Sequence, residues 1–475
     1  MIELCLMLMS VQILMGAFDT IYHHELTVAL PCTPGARKEL WIHSVRSLLY
    51  GVLFLALALG QWQGWFAALI ASVLLVEVLL TLWDFVIEDQ SRLLPASERV
   101  THTLLAINGG AFSLLLIGTL LDWSAQPSQV VPAWYGWLSV WLVLGAVGVS
   151  LSGLRDGLAA WALRRLAEPE RLNFGSAHLR MLITGGSGFI GSALVRAALA
   201  AGHEVTIISR NPRATAQQFA GQVRVFESCV ALHSEERFDA VINLAGANVA
   251  TLPWTTARRK VLLASRLHGS TDLLAFCQRA TQQPELWIQA SAVGFYPMHA
   301  VSPLDEASPS GAHFAAQLCQ QWEAVTAEVC KLGIRTVTLR LGLVFGPSGG
   351  LFPKLSLATR LSGGAVLGSG TQKVAWIHLE DVLQLLARAL REREMRGVYN
   401  AVAPQSPNYR EFVQALGHEL HRPVLWRVPA APLRWCLGEL AELLVHGATI
   451  APQRLLALHH EFRFPTLRAA LMDLS

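Results

Sequence analysis

The chain has 475 residues, 53% of them hydrophobic and 15% charged, with a mean hydropathy of +0.40. Soluble domains carry about 25% charged residues, so a purely soluble enzyme is excluded, as is a disordered chain. The 37 basic and 34 acidic residues are too many for a bare transporter, and the net charge of +3 gives no argument for nucleic acid.

The average conceals a split. Residues 1–165 hold eight Lys/Arg against eleven Asp/Glu, a net charge of −3, which leaves +6 on the remainder. Seven scattered cysteines form no CxxC pair and read as reduced. The pattern predicts an α-helical membrane bundle (1–165), a linker (166–179), an α/β doubly wound parallel sheet (180–425) and a small C-terminal lobe (426–475).

In the first region five apolar runs, near 2–18, 44–62, 64–83, 103–121 and 133–152, are long enough to span a bilayer. The first lacks a basic lead and a cleavage site, and reads as an anchor rather than a signal peptide. Residues 153–178 read as a polar exit helix and linker. Arg37, Lys38, Arg92, Arg99, Arg155, Arg164 and Arg165 fall on one set of connections, and 59–64 and 122–133 contain no Lys or Arg. By the positive-inside rule, the N-terminus faces outward and the second half is cytoplasmic, on a bacterial inner membrane.

This region also repeats. Gln12, Asp19, His23 and His24 recur at offset 65 as Glu77, Asp84, Glu88 and Asp89; Glu39-x-x-x-His43 recurs as Glu98-x-x-x-His102. Positions i, i+7 and i+11 share a helix face, as do i and i+4. Carboxylates and imidazoles from four helices therefore converge, the arrangement with which bundles hold metals. Asp19, His23, Glu39, His43, Asp84, Glu88, Glu98 and His102 are the candidate ligands, suited to Fe, Mn or Zn. Solvated helix ends and local Glu/His pairs are the competing reading. Glu77 lies near mid-span, where a carboxylate costs about 2.5–3.5 kcal/mol, and is expected to face the interior.

At Arg180 the pattern changes. A short apolar strand leads into Gly185-Gly186-Ser187-Gly188-Phe189-Ile190-Gly191, a helical run, and a second strand from Glu204 to Ser209. Glycines between strand and helix let a pyrophosphate approach the free N–H groups of a helix start. Gly185, Ser187, Gly188, Phe189, Ile190, Gly191, Ala245 and Gly246 are the expected nucleotide contacts. A strand-end acid, which would bind the ribose of NAD, is missing. Arg210 and Arg213 stand there instead and suit the extra phosphate of NADP; NAD remains the alternative.

Further apolar strands at 240–243, 287–291 and 336–340 imply a parallel sheet, with ligands beyond the strands' carboxyl ends. TGGSGFIG, NLAGA (Asn243 to Ala247), Ser291 and Trp376 to Asp381 resemble an extended short-chain dehydrogenase/reductase of the NAD-dependent epimerase/dehydratase type. Trp254, Ser265-Arg266, Ser291 to Tyr296, Leu318-Cys319, Trp322-Glu323 and Gly349-Gly350 narrow this to an atypical subfamily. Leu367 to Gly370, Leu416 to Pro423, Pro452 to Leu455 and Phe462 to Phe464 extend the match to the subfamily's own C-terminal domain.

The resemblance implies hydride chemistry on a carbonyl or alcohol, but the usual Tyr-x-x-x-Lys pair is missing. Phe314 or Ala315 stands for the tyrosine and Leu318 or Cys319 for the lysine. Ser291 and Tyr296 are the remaining catalytic candidates. Glu306, Glu323, Cys319, Lys354 and His378 are weaker ones, most of them better read as structural. Three readings stay open: a membrane-anchored NAD(P)-dependent oxidoreductase or epimerase acting on a small-molecule or lipid-linked substrate, a non-catalytic NADP sensor or scaffold, and a metal-containing membrane redox protein.

Overall fold

A computed structural model describes the chain except residues 28–29, 31–36, 92–95, 166–171, 250–253, 301, 348 and 475; the side chains of 25–27, 89–91, 96, 162–165 and 436 also lie outside the description. Asp89, Arg92, Arg164, Arg165 and part of the expected linker fall in these gaps. The chain divides into two units, Met1–Glu168 and Pro169–Ser475.

The first unit has five long apolar helices: α1 (Ile2–Phe18), α2 (Arg37–Leu59), α3 (Trp65–Ser91), α4 (Ala96–Ser124) and α5 (Trp137–Arg165). Four of them, and α1 together with its continuation to His24, are long and apolar enough to cross a bilayer. The helices outrun the apolar runs. α2 and α4 begin several residues earlier than expected, at charged first turns, and α5 absorbs much of the expected exit helix. The cause is backbone satisfaction, since extending a helix into its polar flank pairs groups that would otherwise be stranded at the membrane edge. Leu114, Leu144 and Leu151 are among the many apolar side chains left outside, as a lipid solvent permits.

α1 packs on α4, α2 on α3, and α2 most extensively on α5. The last contact uses small residues. A Cβ on Gly153 would lie 2.9 Å from the Ser44 carbonyl, and one on Gly157 would lie 2.8 Å from Ser44 Oγ. Such close approach lets dispersion and backbone contacts hold membrane helices together. The two connections without Lys or Arg meet as a short antiparallel pair, Gly60–Trp62 with Val130–Pro132.

In the second unit seven parallel strands are β1 (Arg180–Thr184), β2 (Glu204–Ile208), β3 (Arg224–Phe226), β4 (Ala240–Asn243), β5 (Leu286–Ala292), β6 (Arg335–Leu341) and β7 (Gly397–Ala401). Their order is β7-β6-β5-β4-β1-β2-β3, the doubly wound arrangement with its switch point beside β1. β1 and β4 are almost wholly buried, which explains their unbroken apolar sequence. α6 (Phe189–Ala200), α7 (Thr256–Arg279), α8 (Phe314–Lys331) and α9 (Leu379–Arg391) include the helices that cover the faces. Beyond them Val424–Val428 pairs in parallel with Gly364–Leu367, and short helices complete the C-terminal lobe.

Candidate functional site

The glycine-rich turn joins β1 to α6 at the switch point. Gly185 has φ +71°, a conformation that favours glycine. A Cβ on Gly191 would sit 2.1 Å from the Gly185 carbonyl oxygen, so the helix start and the turn touch backbone to backbone. Gly188 is the N-cap of α6 and brings no side-chain acceptor to the first-turn N–H groups. Those donors and the helix dipole suit an anion. Phe189 packs against Gly346, Gly349 and Gly350, and a Cβ on Gly349 would lie 2.4 Å from its ring.

At the end of β2, Ser209 bonds Thr215 at 2.7 Å and Arg210 and Arg213 are exposed. Across the crevice, Gly246 follows β4. A Cβ there would meet the Arg266 guanidinium at 3.1 Å, and Arg266 itself lies over the Trp322 ring. Beneath the crevice Asn243 accepts from Thr184 at 2.6 Å and donates to Ser270 and Gln289. Register places Thr184, Asn243, Gln289 and Thr338 in one row across four strands.

A second row, nearer the carboxyl ends, holds Ser291, Arg340 and Asn400. Here sequence reading and geometry part. Ser291 and Tyr296 were expected beside the reacting carbon, yet each is only 2% exposed. Ser291 donates to Glu323 Oε1 at 2.5 Å. Glu323 also takes two bonds from Arg340, at 2.9 and 2.8 Å. Arg340 donates to the Tyr296 oxygen at 2.8 Å, and Tyr296 donates to Asn400 Oδ1 at 2.7 Å. Both hydroxyl protons are therefore engaged inside a buried chain, and burial holds the Tyr296 phenol above its ordinary pKa.

Most of the weaker candidates are engaged inside the fold. Burial pushes the Cys319 thiol up to about 11. Glu306 accepts from the backbone N–H groups of Asn400 and Arg454. Glu323 does more than order its helix, because it holds Arg340. His378 ends a strand as expected, and its Nδ1 also accepts from the Glu380 N–H to cap α9. Lys354 is exposed. Arg340 and Asn400 were missed. The available signal was an arginine inside an apolar strand, which must find a buried acid.

The membrane candidates gather at the opposite end of the bundle from the short antiparallel pair. α1 continues as a π-helical stretch, Asp19–Thr27, and this wider turn changes the expected face. His23 leans back on Asp19 (2.8 Å) and meets Ser97 (3.3 Å). His24, outside the expected ligand set, enters the centre. His102 lies 3.1 Å from Asp19 and 3.3 Å from Glu88; His43 lies 3.0 Å from Asp84 and 3.7 Å from Glu88. Arg46 pairs with Asp84 and Glu77. Glu39 and Glu98 are buried, and Glu98 approaches His24 at 3.8 Å.

Residues 181–401 match the NAD dependent epimerase/dehydratase family, and 428–474 match a domain of unknown function, DUF1731. The fold and the glycine turn thus define an epimerase/dehydratase-type nucleotide-binding protein. The Bos taurus epimerase family protein SDR39U1 is 37% identical over 300 residues, covering 62% of this chain and 99% of the relative. The crystal structure of human SDR39U1 (isoform 2) with NADPH has 34% identity and a TM-score of 0.57, covering 62% of this chain and 99% of that one. A nucleoside-diphosphate sugar epimerase from Corynebacterium glutamicum has 27% identity and a TM-score of 0.51, covering 67% of this chain and 63% of its own. The chain belongs, through its second unit, to the SDR39U1-like epimerase family; the family matches lie outside the five-helix unit.

Proposed function

We propose that this chain is a membrane-anchored NADP(H)-binding protein of oxidoreductase type, with the nucleotide unit on the cytoplasmic face of a bacterial inner membrane and a small or lipid-linked carbonyl or alcohol as substrate. The carrying observation is the β1–α6 turn, whose glycines leave backbone and first-turn N–H groups open to a pyrophosphate. The residues fit the dinucleotide: Gly185, Gly188 and Gly191 shape the cradle, Ala245 and Gly246 border it, and Arg210 and Arg213 stand where a 2′-phosphate would fall. The relative solved with NADPH supports this choice. When bound, NADP(H) supplies or accepts a hydride. Ser291 and Tyr296 are the candidate proton donors to the substrate oxygen: Glu323 accepts the Ser291 proton and Asn400 the Tyr296 proton, so each hydroxyl serves the reaction only once that acceptor moves away. The five apolar helices and the charge pattern of their connections support the anchoring and its orientation.

Titrating the detergent-purified protein with NADPH and with NADH tests the reading. Saturable binding with NADPH preferred is expected; no binding of either overturns it.

A second reading, a non-catalytic sensor or scaffold, is favoured by the engaged Tyr296 and the missing tyrosine–lysine pair. Tyr296→Phe separates the two. Loss of the cellular function with NADPH binding retained supports the enzyme, and retention of both supports the sensor.

A further inference from the structure

We propose that the polar end of the five-helix bundle is a binding site for first-row divalent transition-metal ions of the iron and manganese class. Two groups of ligand-type atoms converge there, Asp19 with His24 and His102, and His24 with His43 and Glu88. Within each group the atoms lie within 4.8 Å of one another. Each group is two imidazoles and one carboxylate, the set that non-haem iron sites use in facial triads. His24 belongs to both, so the two positions share a ligand and are alternatives for one ion.

The spacings carry the argument. Two ligands each about 2.1 Å from a metal, at octahedral or tetrahedral angles, lie about 3.0–3.5 Å apart. His102 Nε2 is 3.1 Å from Asp19 Oδ2, and His24 Nε2 is 3.5 Å from the same oxygen. His43 Nε2 to Glu88 Oε1 is 3.7 Å, and His24 Nε2 to Glu98 Oε1 is 3.8 Å. The longer three exceed good hydrogen bonds and are too short to admit a water between the atoms. The 3.1 and 3.5 Å separations about Asp19 are those expected across a cation. The Glu88 carboxylate faces both groups, with Oε1 toward His43 and Oε2 toward His102, as a bridging carboxylate does.

Four further observations agree. The histidines come from different helices, yet the His24 and His43 rings stack at 4.6 Å, and Nδ1 of His43 is buried with no hydrogen-bond partner among the described residues. Nε2 of His43 holds Asp84 at 3.0 Å, and Asp84 pairs in turn with Arg46, so Nδ1 is the ligand atom of this histidine and Asp84 is the outer support that metal-binding imidazoles need. The internal repeat also acquires a meaning. Asp19 of the first hairpin reaches His102 of the second, and Asp84 of the second reaches His43 of the first. The duplicated hairpins thus exchange ligands across a pseudo-twofold arrangement, consistent with α1 packing on α4 and α2 on α3. Finally, His102 lines an open cleft of about 540 Å³ with Phe85, Arg99, Thr103, Ala106 and Ile107, which gives the site an entrance.

The test uses the full-length protein in detergent, loaded anaerobically with Fe(II), Mn(II) or Zn(II), desalted and assayed by elemental analysis. One ion per chain is expected, with Fe or Mn retained. His24→Ala, common to both groups, should lower retained metal about tenfold or more, and Asp122→Asn, at the far end of α4 from His102, should leave it unchanged. Helical circular dichroism and a monodisperse elution profile check that each variant is folded. Should His24→Ala not fold, cobalt(II) titration of the unaltered protein decides. New d–d absorption bands support the site, and their absence overturns it. Retained metal well below one ion per chain for all three ions, or equal retention in folded His24→Ala, shows an ion-pair network only and overturns the proposal.

Discussion

Both units bury polar groups, and they do so by different rules. In the sheet, Ser291, Glu323, Arg340, Tyr296 and Asn400 form a chain whose links run from 2.5 to 2.9 Å, with a guanidinium meeting a carboxylate in two parallel bonds. Donor meets acceptor at each link, and the charge is neutralised inside the network. Such an assembly fixes structure. At the membrane end, carboxylates face imidazoles at separations that reach 3.7 and 3.8 Å. The residue types there are acceptors and ring nitrogens that a cation would draw together. On the proposed metal reading, two clusters of similar burial carry opposite functional content, and the residues named as catalytic from sequence sit in the closed one.

The largest expected effect breaks the closed network. Glu323→Ala removes the partner of Ser291 and strands the Arg340 charge. A buried pair broken on one side costs about 3–5 kcal/mol, which lowers Tm by on the order of 10 °C. Thermal unfolding of the full chain in detergent measures it. A loss under about 2 °C would mean that the network is not a structural clamp, and the comparison with the membrane cluster would fail.

Next comes the nucleotide cradle. Gly191→Val places a side chain where 2.1 Å separates a Cβ from the Gly185 oxygen. NADPH affinity should fall about 100-fold, equivalent to about 2.8 kcal/mol. Affinity within threefold of the unaltered protein would remove the turn from the binding site. Smaller again is the 2′-phosphate term. Arg210→Ala with Arg213→Ala should weaken NADPH about tenfold and leave NADH unchanged. Equal loss for both nucleotides would assign these arginines to general charge attraction instead.

The unequal legibility of the two units has a physical origin. A glycine turn between strand and helix is a local solution to a local problem, so residues 185–191 could be read directly, and the strand alternation gave the sheet. Register across non-adjacent strands is nonlocal. Nothing near Ser291 in sequence announces Arg340 and Asn400, which lie beside it only because β5, β6 and β7 pair in that order. In the bundle, the 100° rule brought the polar helix ends together through the repeat but put His23, not His24, on the shared face, whereas His24 groups with His43, Glu88, Asp19 and His102. The π-helical stretch after Phe18 rotates the chain out of α-helical phase, and the apolar pattern holds no sign of that extra residue.

The smallest effect tests histidine neighbours directly. His460 in the sheet unit is partly buried against a cation, whereas the membrane histidines meet carboxylates. Burial first, and then Arg388, whose Nη1 lies 3.3 Å from His460 Nδ1, lower the His460 pKa to about 4. A neutral ring can accept from that arginine; a protonated one would repel it. The folded state therefore binds this proton less readily than the unfolded chain, whose histidine titrates near 6.5. The contribution of His460 to stability is full above about pH 6.5, declines as the pH falls toward 4, and levels off below that. Because the ring is partly solvated, the change is on the order of 1 kcal/mol, a few degrees in Tm. His460→Asn removes the titration. The Tm advantage of the unaltered protein over this variant should shrink between pH 7 and pH 4.5, and a gap independent of pH would show that the ring is already solvated and indifferent to Arg388.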